Sequence, residues 1–143
     1  MADKYDALKL DNQICFPLYA VSKEIVRRYK PFLEDIDLTY TQYIAMMVMW
    51  EEGCICVKDL GRRLFLDSGT LTPVLKTLEK KGYISRTRSK DDERVLNVEI
   101  TKEGMDLRKK ALCIPGQIGS CIQLGEEQAK ELYTILRELM KQF

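Results

Sequence analysis

Histidine is missing from all 143 residues. Its absence removes Ser-His-Asp and Cys-His nucleophile systems, two-histidine metal sites and imidazole general bases together. Cysteine occurs five times, at Cys15, Cys54, Cys56, Cys113 and Cys121, but never in the C-x-x-C spacing of a zinc knuckle, so no metal site is expected. Neither a glycine-rich phosphate loop nor a dinucleotide fingerprint is present, and no cofactor is expected. The longest apolar run, Ile44 to Trp50, falls far short of the ~20 residues of a membrane helix. No export leader is recognisable, so reduced thiols in a cytoplasmic protein are the expectation, rather than a disulfide framework. An excess of one charge is lacking too: 23 Lys and Arg meet 22 Asp and Glu, a formal net charge of +1.

The charges that are present are unevenly placed. Between positions 76 and 94, Lys76, Lys80, Lys81, Arg86, Arg88, Lys90 and Arg94 outnumber Glu79, Asp91, Asp92 and Glu93. Acidic pairs gather elsewhere, at Glu34-Asp35, Glu51-Glu52 and Glu126-Glu127. Such a dipolar surface fits a protein that meets a polyanion along one side, although mixed surface charge is also ordinary.

Residues 66–101 carry the densest pattern. Leu71, Val74, Leu75 and Leu78 recur at i, i+3, i+4, i+7, which predicts a helix with one face inward. Ser68, Thr70, Thr72 and Lys76 lie on the other face. Asp67 or Ser68 is the expected N-cap, and Gly82 the expected C-cap. Strand-like residues follow at 83–87 and 95–100, joined by the charged Ser89–Glu93 link, and Cys54–Val57 reads as a third short strand. A brief helix over 58–64, with Leu60 and Leu64 at i, i+4, precedes the turn at Phe65–Asp67. This is the outline of a winged helix-turn-helix, whose second helix enters a DNA major groove while the ribbon tip reaches phosphates or the minor groove. The same pattern also fits a solvated polar face above an ordinary core.

The chain reads as one domain over 1–143, mainly α with a small β wing: about 54–101 forms the winged unit, flanked by helices over about 10–32 and 102–143. Ile14, Leu18, Val21, Ile25 and Tyr29 share a stripe in the first flank; Leu132, Ile135, Leu136, Leu139, Met140 and Phe143 do so in the last. Pro17 requires the first helix to begin near Cys15–Phe16 or to bend there. Residues 102–113, opened by Thr101, form another helix that Pro115-Gly116 interrupts or bends. Broad apolar faces at both ends favour a homodimer on a pseudo-palindromic operator over a stripe buried within one subunit.

The segment DSGTLTPVLKTLEKKGYISRTRSKDDER, with its Asp92-x-Arg94 wing, resembles the MarR-type winged-helix regulators. The segment LDNQICFPLYAVSKEIVRRYKPFLEDIDLTYTQY resembles the organic hydroperoxide-sensing repressors of that family, chiefly through Asn12-Gln13-x-Cys15-Phe16 with Tyr19, Tyr29 and Tyr40. The resemblance implies a repressor, not an enzyme, that leaves its operator when an organic hydroperoxide oxidises Cys15. It further implies that phenols matching Tyr29 and Tyr40 reach that sulfur from the partner subunit. It carries Ser68, Thr70 and Thr72 over as groove-facing residues, Lys76 as a phosphate contact, Arg94 as the minor-groove arginine and Asp92 as its brace across a strand face. Arg86 and Lys90 complete the basic set. Two versions of such a sensor exist: one is capped by a low-molecular-weight thiol, the other by a second cysteine, for which Cys121 is favoured over Cys113. Cys54 and Cys56 are expected to be structural. Pro17, Thr41 and Thr77 depart from the family pattern, the last where a basic residue is usual.

Independently of the resemblance, a sensing thiol must be reachable and held by groups that stabilise its charge, as phenolic donors and a helix N-terminus do. The commoner fate of a cysteine is an inert core position. Two other functions compete: a regulator answering a small aromatic or phenolic ligand without redox chemistry, and a thiol peroxidase that turns over.

Overall fold

The computed structural model describes residues 3–143. Two 3₁₀ turns, Asp6–Leu8 and Leu10–Asn12, lead into helix α1, Cys15–Glu34. Starting at Cys15 puts Pro17 in the first turn, where a backbone N–H has no intrahelical partner, so the proline costs no bond and needs no bend. A proline does lie deeper in α1, at Pro31, one turn before the helix ends.

Helix α2, Tyr40–Glu52, is the centre of the molecule. A reciprocal capping box starts it: the Gln42 amide donates to Thr39 Oγ1 at 3.3 Å, and the Thr39 amide donates to Gln42 Oε1 at 3.1 Å. Tyr43, Ala45, Met46, Val48 and Met49 are buried on it, a spread wider than one stripe. That spread follows from its neighbours, since α2 packs against α1 on one side and the winged unit on the other. Gly53 ends the helix at φ +73°, a left-handed conformation that disfavours any side chain.

Strand β1, Cys54–Cys56, leads into α3, Val57–Leu64, so Val57 opens a helix instead of extending the expected strand. Phe65, at φ +55°, turns the chain into α4, Ser68–Lys80, and Gly82, at φ +81°, turns it out again. Strands β2, Ile84–Arg88, and β3, Leu96–Ile100, pair antiparallel with Arg86 opposite Val98. β1 adds to the other edge of β3, Ile55 opposite Val98, giving the order β1-β3-β2. Helix α5, Lys102–Ala111, is capped by Thr101, whose Oγ1 accepts from the Gly104 amide at 3.0 Å.

The expected break at Pro115 proves to be a helix start. After Ala111 the chain turns, and α6, Ile114–Cys121, begins with Pro115 in its first turn. α6 packs on α1. The last helix, α7, is Glu126–Met140, and none of its residues is buried. The core gathers Leu33, Ile36 and Leu38 with the inner face of α2, then Leu60, Leu71, Leu75, Leu78, Ile84 and Val98 of the winged unit, and finally Leu107, Ala111, Ile114 and Ile118. Among the described residues no helix is long and apolar enough to cross a membrane, and no cluster of three metal-ligating side chains occurs.

Candidate nucleic-acid interface and thiol site

The inner face of α4 is fixed by Leu71, Val74, Leu75 and Leu78, all buried as their spacing requires. The face turned outward therefore follows. Ser68, Gly69, Thr70 and Lys76 are exposed, while Thr72 is half-buried. Asp67 is the N-cap: its Oδ1 accepts from the Thr70 amide at 2.7 Å. That bond and the Thr70 hydroxyl hold the Asp67 carboxyl below its usual range. Thr77 turns its hydroxyl back along the helix onto the Pro73 carbonyl at 3.0 Å, so it offers the outer face no free donor.

The wing tip is a built turn. The Ser89 amide donates to the Val95 carbonyl at 2.8 Å and the Val95 amide to the Asp92 carbonyl at 2.9 Å. Asp92 braces Arg94 as expected, though from within the tip and not across a strand face, since β3 begins only at Leu96. Arg94 donates to Asp92 Oδ1 from its amide at 3.0 Å and from Nε at 3.1 Å, and from Nη2 to Oδ2 at 3.3 Å. These bonds keep the Asp92 carboxyl ionised below its ordinary range. The guanidinium they orient stays 91% exposed. Lys90 is exposed beside it.

Arg86 departs from its expected role. Its side chain is only 18% exposed and is taken up by Glu79, so it ties the wing to α4 and is withdrawn from the outer surface. A broad cleft of about 970 Å³ opens between α3, the start of α4 and the wing, with Lys58, Arg62 and Arg94 on its walls.

Cys15 is the first residue of α1 and is exposed. It is no core thiol. Ile14, Phe16, Leu18, Tyr19 and Val21 around it are exposed as well, at 78, 43, 41, 59 and 54%. The Tyr19 ring lies under Lys23 Nζ at 4.9 Å. Tyr29 on α1 and Tyr40 on α2 come together, with ring centroids 5.0 Å apart, and Tyr43 stands 5.8 Å from Tyr29. Burial raises the hydroxyl pKa of Tyr29 and of Tyr40, and for Tyr29 the neighbouring Tyr40 adds to it. Both phenols therefore remain donors well above neutral pH. Within one chain they are out of reach of Cys15: fourteen helical residues separate Cys15 from Tyr29, roughly 21 Å of axis.

Of the remaining thiols, Cys121 is exposed at the end of α6 and Cys113 is exposed just before it. Cys56 donates to Asp59 Oδ2 at 3.1 Å, bracing the start of α3, whereas Cys54 is exposed at the start of β1, opposite Glu99.

Residues 27–111 match the family model described as Transcriptional regulator SarA/Rot. The chain is 48% identical to the organic hydroperoxide resistance transcriptional regulator of Bacillus subtilis, over 97% of each protein. The chain is a winged-helix transcriptional regulator of the MarR and SarA/Rot type. Solved structures agree with its fold. Reduced AbfR bound to DNA superposes with a TM-score of 0.81 at 32% identity, over 98% of this chain and 96% of AbfR. The disulfide form of AbfR matches at a TM-score of 0.65 and 34% identity over 96% of each chain. The exposed α4 face and the Arg94 tip thus lie on the element by which this class of regulator is named.

Proposed function

We propose that this regulator is a homodimeric repressor that binds double-stranded DNA and releases it when an organic hydroperoxide oxidises Cys15. The observation that carries the reading is the separation just described. A reachable thiol sits on an exposed apolar stripe at the start of α1, and Tyr29, ~21 Å along the same helix, stands against Tyr40 at the start of α2, so an antiparallel partner could bring the phenol pair to the thiol. The B. subtilis relative is named for organic hydroperoxide resistance, and AbfR has been captured reduced on DNA and as a disulfide, which supports the same chemistry here.

The reaction balances simply. The Cys15 thiolate attacks the distal peroxide oxygen, the O–O bond breaks, the sulfur takes that hydroxyl as a sulfenic acid, and the alkoxide left behind takes up a proton and departs as the alcohol. The sulfenic acid then condenses with a second thiol, releasing water. Cys121 of the other subunit and a low-molecular-weight thiol are the two candidates. Tyr29 and Tyr40 of the partner would donate hydrogen bonds to the thiolate, and Tyr19 would close the apolar entrance. Replacing the thiolate by a bulkier oxidised sulfur removes those bonds and frees the subunits to rotate.

On the DNA side, Ser68, Thr70 and Thr72 meet base edges, Lys76 and Lys90 meet phosphates, and Arg94 enters the minor groove. Two such units about 34 Å apart match successive turns of one face of a duplex. The protein acts in the cytoplasm, where its operator and reduced thiols are found, and without turnover. A second reading is favoured by one observation, a cavity of about 610 Å³ beside Tyr40, floored by Val26, Leu33 and Leu38. A small aromatic or phenolic ligand there could release DNA without redox chemistry.

The deciding experiment compares the protein with Cys15→Ser on a labelled operator duplex. The variant is expected to bind normally and to stay bound after cumene hydroperoxide. Release by the variant overturns the redox reading. Release of both proteins by an aromatic acid under reductant favours the second.

A further inference from the structure

We propose that Trp50, the sole tryptophan of the chain, is the positioning residue that carries the state of the Tyr29–Tyr40 pair to the hinge between recognition helix and wing. The proposal rests on the peroxide reading above and extends it to the interior of the subunit.

A continuous series of contacts leads there. Tyr40 packs tilted against Tyr29 at 5.0 Å, Tyr29 against Tyr43 at 5.8 Å, and Tyr43 meets Trp50 edge-on at 6.3 Å and an interplanar angle of 68°. Tyr43 is only 3% exposed, so the middle of the series has no solvent to move into. Trp50 ends it with a directional bond: the indole Nε1 donates to the Gly104 carbonyl at 2.8 Å, across 54 residues of sequence.

Gly104 in turn sits against the hinge. A Cβ there would stand 2.1 Å from the Tyr83 carbonyl oxygen, so α5 and the chain at Tyr83 are in backbone contact. Thr101 fastens the same point: its Oγ1 donates to the Gly82 carbonyl at 2.6 Å and its amide to the Tyr83 carbonyl at 3.0 Å. Gly82 and Tyr83 are the two residues that follow Lys81, the C-cap of α4, and lead into β2. A close-packed interior transmits a displacement instead of absorbing it. When Tyr29 loses its sulfur partner and shifts, Tyr43 must follow, and Trp50 pulls on the turn that sets the angle between α4 and the wing.

The test uses full-length protein and three forms: unsubstituted, Trp50→Phe and Tyr43→Phe. Operator affinity is measured reduced and after cumene hydroperoxide, with intact-mass measurement establishing that Cys15 is equally oxidised in each. The unsubstituted protein and Tyr43→Phe, which keeps its ring, are expected to lose affinity by about tenfold or more. Trp50→Phe is expected to bind as tightly when reduced but to lose little on oxidation. Equal release by Trp50→Phe overturns the proposal while leaving the peroxide reading intact. Failure of the unsubstituted protein to release removes both. Should Trp50→Phe fold poorly, tryptophan emission of the unsubstituted protein decides: it is expected to shift on oxidation and to stay constant in Cys15→Ser. Constant emission through a full release of operator overturns the proposal.

Discussion

Glu79 on the recognition helix takes three hydrogen bonds from Arg86 on the first wing strand. The Arg86 amide donates to Oε1 at 3.0 Å, and its Nε and Nη2 donate to Oε2 at 3.2 and 2.8 Å. Helix and wing are thereby tied together by a charge-assisted contact in which two guanidinium N–H groups converge on one carboxylate oxygen. Arg86, the largest cause, keeps the Glu79 carboxyl below its usual range.

Glu79→Ala is accordingly expected to lower the thermal midpoint and weaken operator binding, because the half-buried Arg86 loses its partner. The pH dependence has a defined sign. A carboxyl with a lowered folded pKa adds stability above its unfolded value and loses it as pH falls through the folded one. The gap between the two proteins should be constant near neutrality and close below about pH 4. Melting curves in a pH series check this; a gap that widens in acid contradicts it.

Arg94→Ala is expected to cost about 1–3 kcal/mol of operator affinity and to flatten the dependence on salt. Asp92→Ala should weaken binding less, since it frees the guanidinium from its brace without deleting it. Titrations at several salt concentrations measure both. Equal affinity and equal salt slope for Arg94→Ala would remove the wing from the interface.

Two glycines in helices should respond oppositely to alanine. Gly104→Ala would drive a methyl group into the Tyr83 carbonyl, at a cost of about 3 kcal/mol or more. A methyl group on Gly116 would enter open space, with no atom within 4 Å, so Gly116→Ala should stabilise α6 by up to about 1 kcal/mol. Chemical denaturation of the pair gives the comparison directly.

The terminal helices give a prediction about assembly. Leu132, Ile135, Leu136, Leu139 and Met140 are all at least 36% exposed on α7, matched by the exposed stripe of α1. Leu136→Glu with Leu139→Glu should shift the proposed dimer toward monomer in sedimentation equilibrium, and operator affinity should fall with it. A monomeric unsubstituted protein would sink the assembly proposed here.

Much of the winged unit was legible in the sequence because its signals are local. The Leu71–Leu78 stripe, the cap at Asp67 or Ser68 and the stop at Gly82 each act within a few residues; the stripe is buried as its spacing requires, Asp67 is the cap, and Gly82 lies one residue beyond the C-cap, Lys81. The ends of α1 and α5 were less legible, since a proline early in a helix and one that breaks it look alike until the first turn is known. Pro17 and Pro115 both proved to be helix starts. The contacts least visible in sequence were those between distant residues: Arg86 reads as one more surface cation, and nothing near Trp50 announces that its indole reaches Gly104. The thiol was legible as a residue and its exposure was not, because an apolar neighbourhood predicts burial unless a partner supplies the cover.

The most direct measurement adds one equivalent of cumene hydroperoxide to the operator-bound protein and records, in the same sample, DNA release and the intact mass of the chain. Release is predicted in proportion to modification at Cys15 alone, as an added oxygen, a cross-linked dimer through Cys121 or a small-thiol adduct. Complete release with Cys15 unmodified, or complete modification with the operator still bound, contradicts a redox switch at this sulfur.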